Sequence, residues 1–174
     1  MKKGMIVYSS KTGNTAKVAQ EIYERLNLEN ISELHPVESA PDPASADWLL
    51  VGFWVDKGDA DPRALEYIGK IMDKKVGVFG TLGAYPGSQH AEDVKERVGA
   101  RISKNNTLLG SFLCQGKIDP KLREMFRGFP PGHPHAMTPE RIKRHQDAES
   151  HPDNEDITAA ADACREMLIK AGVC

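Results

Sequence analysis

The chain has 174 residues, 40% of them hydrophobic and 28% charged, with 23 Lys and Arg against 25 Asp and Glu and a formal charge of −2. A chain of that size buries roughly 70% of its unfolded surface and needs no covalent staple, so residues 1–174 are expected to form a single domain. Neither sign of charge gathers into a block able to follow a phosphate backbone, which excludes nucleic acid as a partner. No apolar run approaches the about 20 residues of a membrane span, and the apolar part of MKKGMIVYSS is too short for a signal peptide. A cytoplasmic protein with no membrane attachment is expected. The cysteines Cys114, Cys164 and Cys174 are odd in number and lack CxxC or CxxxC spacing, so neither a disulfide framework nor a metal centre is indicated.

Gly4 to Tyr8 is a short apolar run ending in a Ser/Thr/Gly cluster, as a buried parallel strand ends in its loop. Ala19, Ile22, Tyr23 and Leu26 then mark one face of a helix from about Asn14 to Asn27. Ile31 to His35 is a shorter strand candidate, followed by Pro36, Pro41 and Pro43, which exclude a helix there. Trp48 to Val55, the most apolar stretch, predicts a central strand, and Asp56 to Asp61 a polar loop; Leu65, Ile68 and Met72 mark the next helix. Val76 to Phe79 predicts a fourth strand running into GTLGAYPGS, and Ala91, Val94, Val98 and Ile102 a helix after it. Leu108 to Cys114 supplies a fifth strand. Strands alternating with helices predict an α/β fold, a doubly wound parallel sheet with helices on both faces.

From Gln115 to about Asp153 the rhythm stops: the segment is polar and rich in Pro and His, with short helices expected near Lys121 to Phe126 and Pro139 to Ala148. It reads as an insertion over 115–153 ahead of a closing helix that carries Ile157, Ala160, Cys164, Met167, Leu168 and Ala171, with acidic residues Asp153 to Asp156 at its start. A long irregular loop in a compact domain is uncommon unless it binds something or is disordered; Phe126, Phe129, Pro130, Pro131 and Met137 offer apolar anchors for a cover or docking surface, the alternative being a surface excursion packed against the last helix. His133, His135, His145 and His151 lack a Cys or a tight carboxylate set of fixed spacing, so no metal site is expected. Cys114 reads as a small buried hydrophobe.

In an open parallel sheet the ligand crevice lies beyond the carboxyl ends of the strands. The loop after the first strand, Ser9-Ser10-Lys11-Thr12-Gly13-Asn14-Thr15, offers hydroxyls, a glycine and the free amides of a helix start, a cradle for phosphate. It contains neither GxxxxGK[ST] nor GxGxxG.

The run Ser10-Lys11-Thr12-Gly13-Asn14-Thr15 resembles the [ST]-x-T-G-x-T signature of the flavodoxin family. The resemblance spans the five strands and the last helix and leaves Gln115 to Asp153 without a short-flavodoxin counterpart. It implies the sheet order 2-1-3-4-5 and a noncovalent FMN whose phosphate is held by Ser10, Thr12, Gly13, Asn14 and Thr15, with Lys11 at the variable position. It further implies that Trp54, Val55, Asp56, Lys57 and Gly58 border the flavin ring, Gly58 being the residue whose peptide can turn over on reduction. Thr81, Leu82, Gly83, Ala84 and Tyr85 would read its pyrimidine edge, with Tyr85 over the ring. Trp54 has two readings, stacked on the ring or ending a core strand. The stretches GFWVDKG, FGTLGAYPGS and FLCQGKIDP resemble the flavodoxin-like proteins that accompany bilirubin reductases in anaerobes.

The function so implied is electron transfer to or from a redox partner protein, a reductase or an acceptor enzyme, with no catalytic residue assigned. The alternative is an FMN-dependent reductase or dehydrogenase acting directly on a quinone or tetrapyrrole-type substrate. Typical flavodoxins are strongly acidic. At a formal charge of −2, long-range steering toward a basic partner is weak and recognition must rest on shape.

Overall fold

In the computed structural model, which describes residues 3–28 and 31–173, a parallel sheet lies between two helical layers. Its strands are β1 (Gly4–Tyr8), β2 (Ser32–Pro36), β3 (Trp48–Asp56), β4 (Asp59–Ala60), β5 (Lys75–Leu82) and β6 (Thr107–Gln115). The parallel order is β2-β1-β3-β5-β6, the order expected for the five long strands, while β4 pairs antiparallel with β3. The helices are α1 (Asn14–Arg25), α2 (Pro62–Ile68), α3 (Gln89–Ser103), α4 (Pro120–Arg127), α5 (Pro139–Ala148) and α6 (Asn154–Ala171).

A parallel strand covered on both faces must be apolar on both, and the two-residue period of a strand sorts its side chains. In β3, Leu49, Val51 and Phe53 join the cluster under α2 and α3, whereas Trp48 and Leu50 join the one under α1 and α6. In β1, Met5 and Val7 take the first side and Ile6 the second. β6 breaks this alternation: Val76 pairs with Leu108 but Gly77 with Gly110, so Leu109 is an extra residue, a β-bulge. Beyond it Leu113 faces the α2/α3 side, and Phe112 and Cys114 the α1/α6 side.

The structure moves several predicted boundaries. The first helix stops at Arg25, and Asp59–Ala60 within the expected polar loop is a strand. α2 ends at Ile68, so Met72 lies beyond it and is 52% exposed instead of packing on its face. Asp73, at φ 55, turns the chain toward β5 there. Strand β5 continues through Thr81 and Leu82, both buried, because Thr81 still pairs with Trp54 and Cys114. The closing helix buries all six residues expected to face the sheet, and Asp153 and Asp156 form a capping box at its start.

Gly52 shows how tightly β3 and β5 are packed: a Cβ there would lie 2.5 Å from the Phe79 ring. Gly52→Ala is expected to cost about 1–3 kcal/mol through overpacking. A urea midpoint equal to that of the parent chain would contradict this packing.

Candidate functional site

At the carboxyl edge of the sheet the β1–α1 loop starts from Ser9, which is buried. Its amide donates to the Gly52 carbonyl at 2.9 Å and its hydroxyl to Asp61 Oδ1 at 2.7 Å. Ser10 Oγ accepts from the amides of Gly13 and Ala16, each at 3.2 Å. Gly13 caps the helix at φ 98, a conformation that favours glycine. The first helical bond runs from the Lys17 amide to the Gly13 carbonyl. Of the amides that a helix start leaves without a helical acceptor, those of Gly13 and Ala16 are thus taken by Ser10, and those of Asn14 and Thr15 remain for a ligand.

Side chains of the loop divide between ligand-side and inward roles. Thr12 is exposed. Lys11 pairs with Asp119 at 3.3 Å and lies 5.4 Å from the centre of the Trp54 ring. Asn14 Nδ2 donates to the Lys117 carbonyl at 2.9 Å. Thr15, expected to offer its hydroxyl to phosphate, is 1% exposed, and that hydroxyl meets Thr81 Oγ1 at 2.9 Å and the Phe53 carbonyl at 3.4 Å. Only its amide is left to face a ligand.

The second loop is a hairpin. Val55 pairs with Ala60 and Asp56 with Asp59, and the two residues between, Lys57 and Gly58, have φ of 49 and 80. Positive φ at both central positions is the signature of a type I′ turn, whose twist suits a hairpin. Gly58 is therefore required by the turn itself. Its carbonyl accepts from Arg97 of α3, and Arg101 pairs with Asp59 at 2.6 Å. Trp54 is half-buried at the end of β3 and belongs to neither core cluster.

Asp61 closes this hairpin. It is 1% exposed and accepts from the Ser9 hydroxyl, the Trp54 amide at 3.3 Å and the amides of Arg63 and Ala64 at 3.1 and 3.2 Å. One carboxylate thus joins the β1 loop, the end of β3 and the start of α2. The Asp-Pro step at Asp61–Pro62 is a helix-start signal in the sequence, though only the fold shows that it also reaches Ser9.

At the end of β5, Gly83 offers its carbonyl to Gln115 Nε2 at 3.2 Å and packs so closely on Ile118 that a Cβ would lie 2.8 Å from it. A crevice of about 430 Å³ lies between the second and third loops, lined by Val55, Lys57, Gly58, Leu82, Gly83 and Ala84 together with His90, Asp93 and Arg97 of α3. The α3 residues are absent from the sequence reading: at i, i+3 and i+7 they share one helix face, but charged residues at that spacing read as a plain solvated face. Tyr85 does not line the crevice. Its hydroxyl donates to Asp147 of α5 at 2.7 Å, a bond that raises the phenol pKa, while Lys143 first and then this bond lower that of the Asp147 carboxyl. A larger hollow of about 580 Å³ lies beside Val37–Pro43 and α2 and includes none of the expected residues.

The 115–153 stretch is tied to this edge at both ends. Lys117 and Asp119 hold Asn14 and Lys11, the Lys117 amide donates to the His151 carbonyl at 2.9 Å, and Lys17 Nζ donates to the Pro152 carbonyl at 2.9 Å. Its histidines are mostly packed on aromatic rings: His133 stacks on Phe129 with centroids 4.1 Å apart, and His135 on Phe126 at 5.7 Å. The expectation that no tight His and carboxylate set exists needs correction, since His151, Asp153 and Asp156 place ligand atoms within 4.8 Å of one another. Both carboxylates cap α6, and His151 Nδ1 lies 2.5 Å from Asp156, so the helix start accounts for the cluster. Cys114 and Cys164 are buried, and burial pushes each thiol up to about 12.

Comparison with known proteins places these features. The family model described as a flavodoxin domain matches residues 5–165. The flavodoxin-like domain-containing protein BilS of Clostridioides difficile strain CD3 is 34% identical over 98% of this chain and 99% of its own. Among solved structures, oxidised flavodoxin 1 of Bacillus cereus superposes with a TM-score of 0.60 at 15% identity, covering 96% of this chain and 97% of that one. A flavoprotein of Lactobacillus acidophilus NCFM in complex with FMN superposes with a TM-score of 0.53 at 16% identity, covering 65% and 93%. Among the described residues no helix is long and apolar enough to cross a membrane.

Asp61→Ala removes the acceptor for Ser9, Trp54 and the α2 cap together, and a loss of about 2–4 kcal/mol is expected in urea unfolding; a loss below about 1 kcal/mol would show that solvent replaces these bonds. The thiols give a pH prediction. A folded-state pKa raised above the unfolded value contributes stability that is present below the unfolded value and lost as pH rises through the folded one. Stability should therefore hold up to about pH 9 and fall between about 9 and 12, the ordinary and buried thiol values. Cys164→Ala should make that fall shallower, and with Cys174 replaced by Ser no thiol should react with Ellman's reagent at pH 8 until urea unfolds the chain.

Proposed function

The chain belongs to the flavodoxin domain family, and from that premise we propose that it binds one FMN noncovalently and passes electrons between a donor and an acceptor protein. The observation that carries this reading is the β1–α1 loop: the Asn14 and Thr15 amides at the start of α1 have no helical acceptor, and Thr12, just ahead of them in the chain, is exposed. Neutral hydroxyls, amides and the positive end of a helix dipole suit a phosphate. The donor set therefore fits the group. The FMN bound by the Lactobacillus acidophilus flavoprotein of like fold supports it further.

In this reading Ser10 orients the loop by holding the Gly13 and Ala16 amides, Gly13 supplies the left-handed turn, and Thr12, Asn14 and Thr15 bind the phosphate, Asn14 and Thr15 through their amides. Val55, Lys57, Gly58, Leu82, Gly83 and Ala84, which line the crevice of about 430 Å³, take the ring system. Trp54 and Asp56 stand at its border, with Lys11 over Trp54. Tyr85 acts through its bond to Asp147 as a link to the 115–153 stretch. FMN supplies one- and two-electron redox chemistry when bound. The chain's own part is to fix the ring beside cationic Lys57 and Arg97, which favours negative charge on it, and to hold the Gly58 carbonyl through Arg97. Gln115 to Asp153, tied to the same edge, serves recognition of the redox partner.

Flavin titration followed by fluorescence quenching tests the reading, with one FMN per chain expected. Thr12→Ala removes one hydrogen bond to a charged group, worth about 1.5–3 kcal/mol, and should weaken binding roughly 10- to 100-fold. Thr15→Val should chiefly lower stability, since the Thr15 hydroxyl bonds inward. No flavin binding, or equal affinity in Thr12→Ala, overturns the assignment of the loop. A carrier should reduce an acceptor only when a reductase protein is added, whereas steady turnover with NAD(P)H and a small quinone alone would establish a direct reductase.

A further inference from the structure

Within the 115–153 stretch, α4 and α5 enclose a hollow of about 220 Å³ lined by Arg123, Arg127, Met137, Ile142, His145 and Gln146. Arg123 and Arg127 stand one turn apart on α4 and so share a face. Opposite them His145 is only 3% exposed, and its Nδ1 is buried without a hydrogen-bond partner. Buried polar atoms are paired with few exceptions, so the His145 ring, which lines the hollow while its Nδ1 stays covered, is an unusual wall for a cavity between two helices.

The charges around it are out of balance. Arg123 pairs with Glu149, which also takes Lys117 at 3.1 Å. Among the described residues Arg127 pairs only with Glu124 of its own helix, 3.3 Å away, with side chains 61% and 76% exposed, a pair of little worth. Arg141 donates to the carbonyls of Ala136 and Pro134, and Arg144 has no carboxylate partner among the described residues, its Nε being buried and unpaired. Burial first, and then Arg144, Arg123, Arg141 and Arg127, lower the His145 pKa and keep its ring neutral at neutral pH.

We propose that this hollow binds a carboxylate carried on an apolar stem, the carboxylate held by the Arg127 and Arg123 guanidinium groups beside the His145 ring and the stem by Met137 and Ile142. A guanidinium fork matches the plane of a carboxylate, and Ile142, 43% exposed, is an apolar side chain that such a stem would cover. The proposal does not rest on the flavin reading.

The full chain, with whatever flavin it carries, is titrated with octanoate while the His145 ring resonances are followed by NMR. His35 on β2 and His90 on α3 serve as internal references. A saturable shift of His145 alone is expected, with affinity reduced at least about tenfold in Arg127→Gln, a change at an exposed side chain that the fold should tolerate. Octanol, a stem without charge, and inorganic phosphate, a charge without a stem, should each bind at least about tenfold more weakly than octanoate. No saturable shift, an equal response to octanol or to phosphate, or unchanged octanoate affinity in Arg127→Gln each overturns the proposal. Flavin absorbance recorded on the same samples reports separately on the cofactor.

Discussion

One buried carboxylate sets the geometry on which the candidate site depends. Asp61 sits where the sheet stops supplying backbone partners, and four donors from three different parts of the chain converge on it. The β1 loop, the end of β3 and the first turn of α2 would otherwise be separate flexible ends. With Asp61 between them they form one rigid corner, and the Lys57–Gly58 turn projects from it as a short stiff arm. Arg97 and Arg101 reach from α3 to the far side of that arm. A site of this kind is preorganised: its loops need little ordering when a ligand arrives, which favours affinity.

How much of this could be read from the sequence depends on the range of the interaction. The strands and most helix faces were legible because burial on both sides of a parallel sheet writes itself as short apolar runs, and helix packing as a repeat of three and four. The β1–α1 loop stood out as a candidate site because its residues are contiguous. What could not be read are contacts across the fold. Nothing local announces that the Thr15 hydroxyl turns inward to Thr81, that Tyr85 bonds to Asp147, or that Arg97 grips Gly58. Met72 shows the opposite error: it has the right spacing for a helix face, but the chain leaves the helix at Gly69 before that residue is reached.

The 115–153 stretch combines local order with little share in the two core clusters. Its helices α4 and α5 begin with Pro behind an Asp or Thr cap, so their starts are set by short-range chemistry. Its attachments, by contrast, are polar and peripheral: Lys11 to Asp119, Asn14 to Lys117, Tyr85 to Asp147. Such links are weaker than apolar packing and respond to charge. The stretch can therefore open locally at lower cost than any sheet-covering helix, while its anchors stay in register with the β1–α1 loop.

The bulge at Leu109 has a further meaning. It adds one residue to β6 opposite a straight β5, so that Leu109 and Gly110 both look toward α6 and every later residue has its phase inverted. The side of the sheet from which the chain departs after Gln115 is thus decided by a count, odd or even, made six residues earlier. With that extra residue, Gln115 can reach Gly83 and Ile118 can close on the same glycine. Without it, the same residues in the same strand would leave toward the opposite layer, and the whole polar excursion would be mirrored away from the edge it now borders.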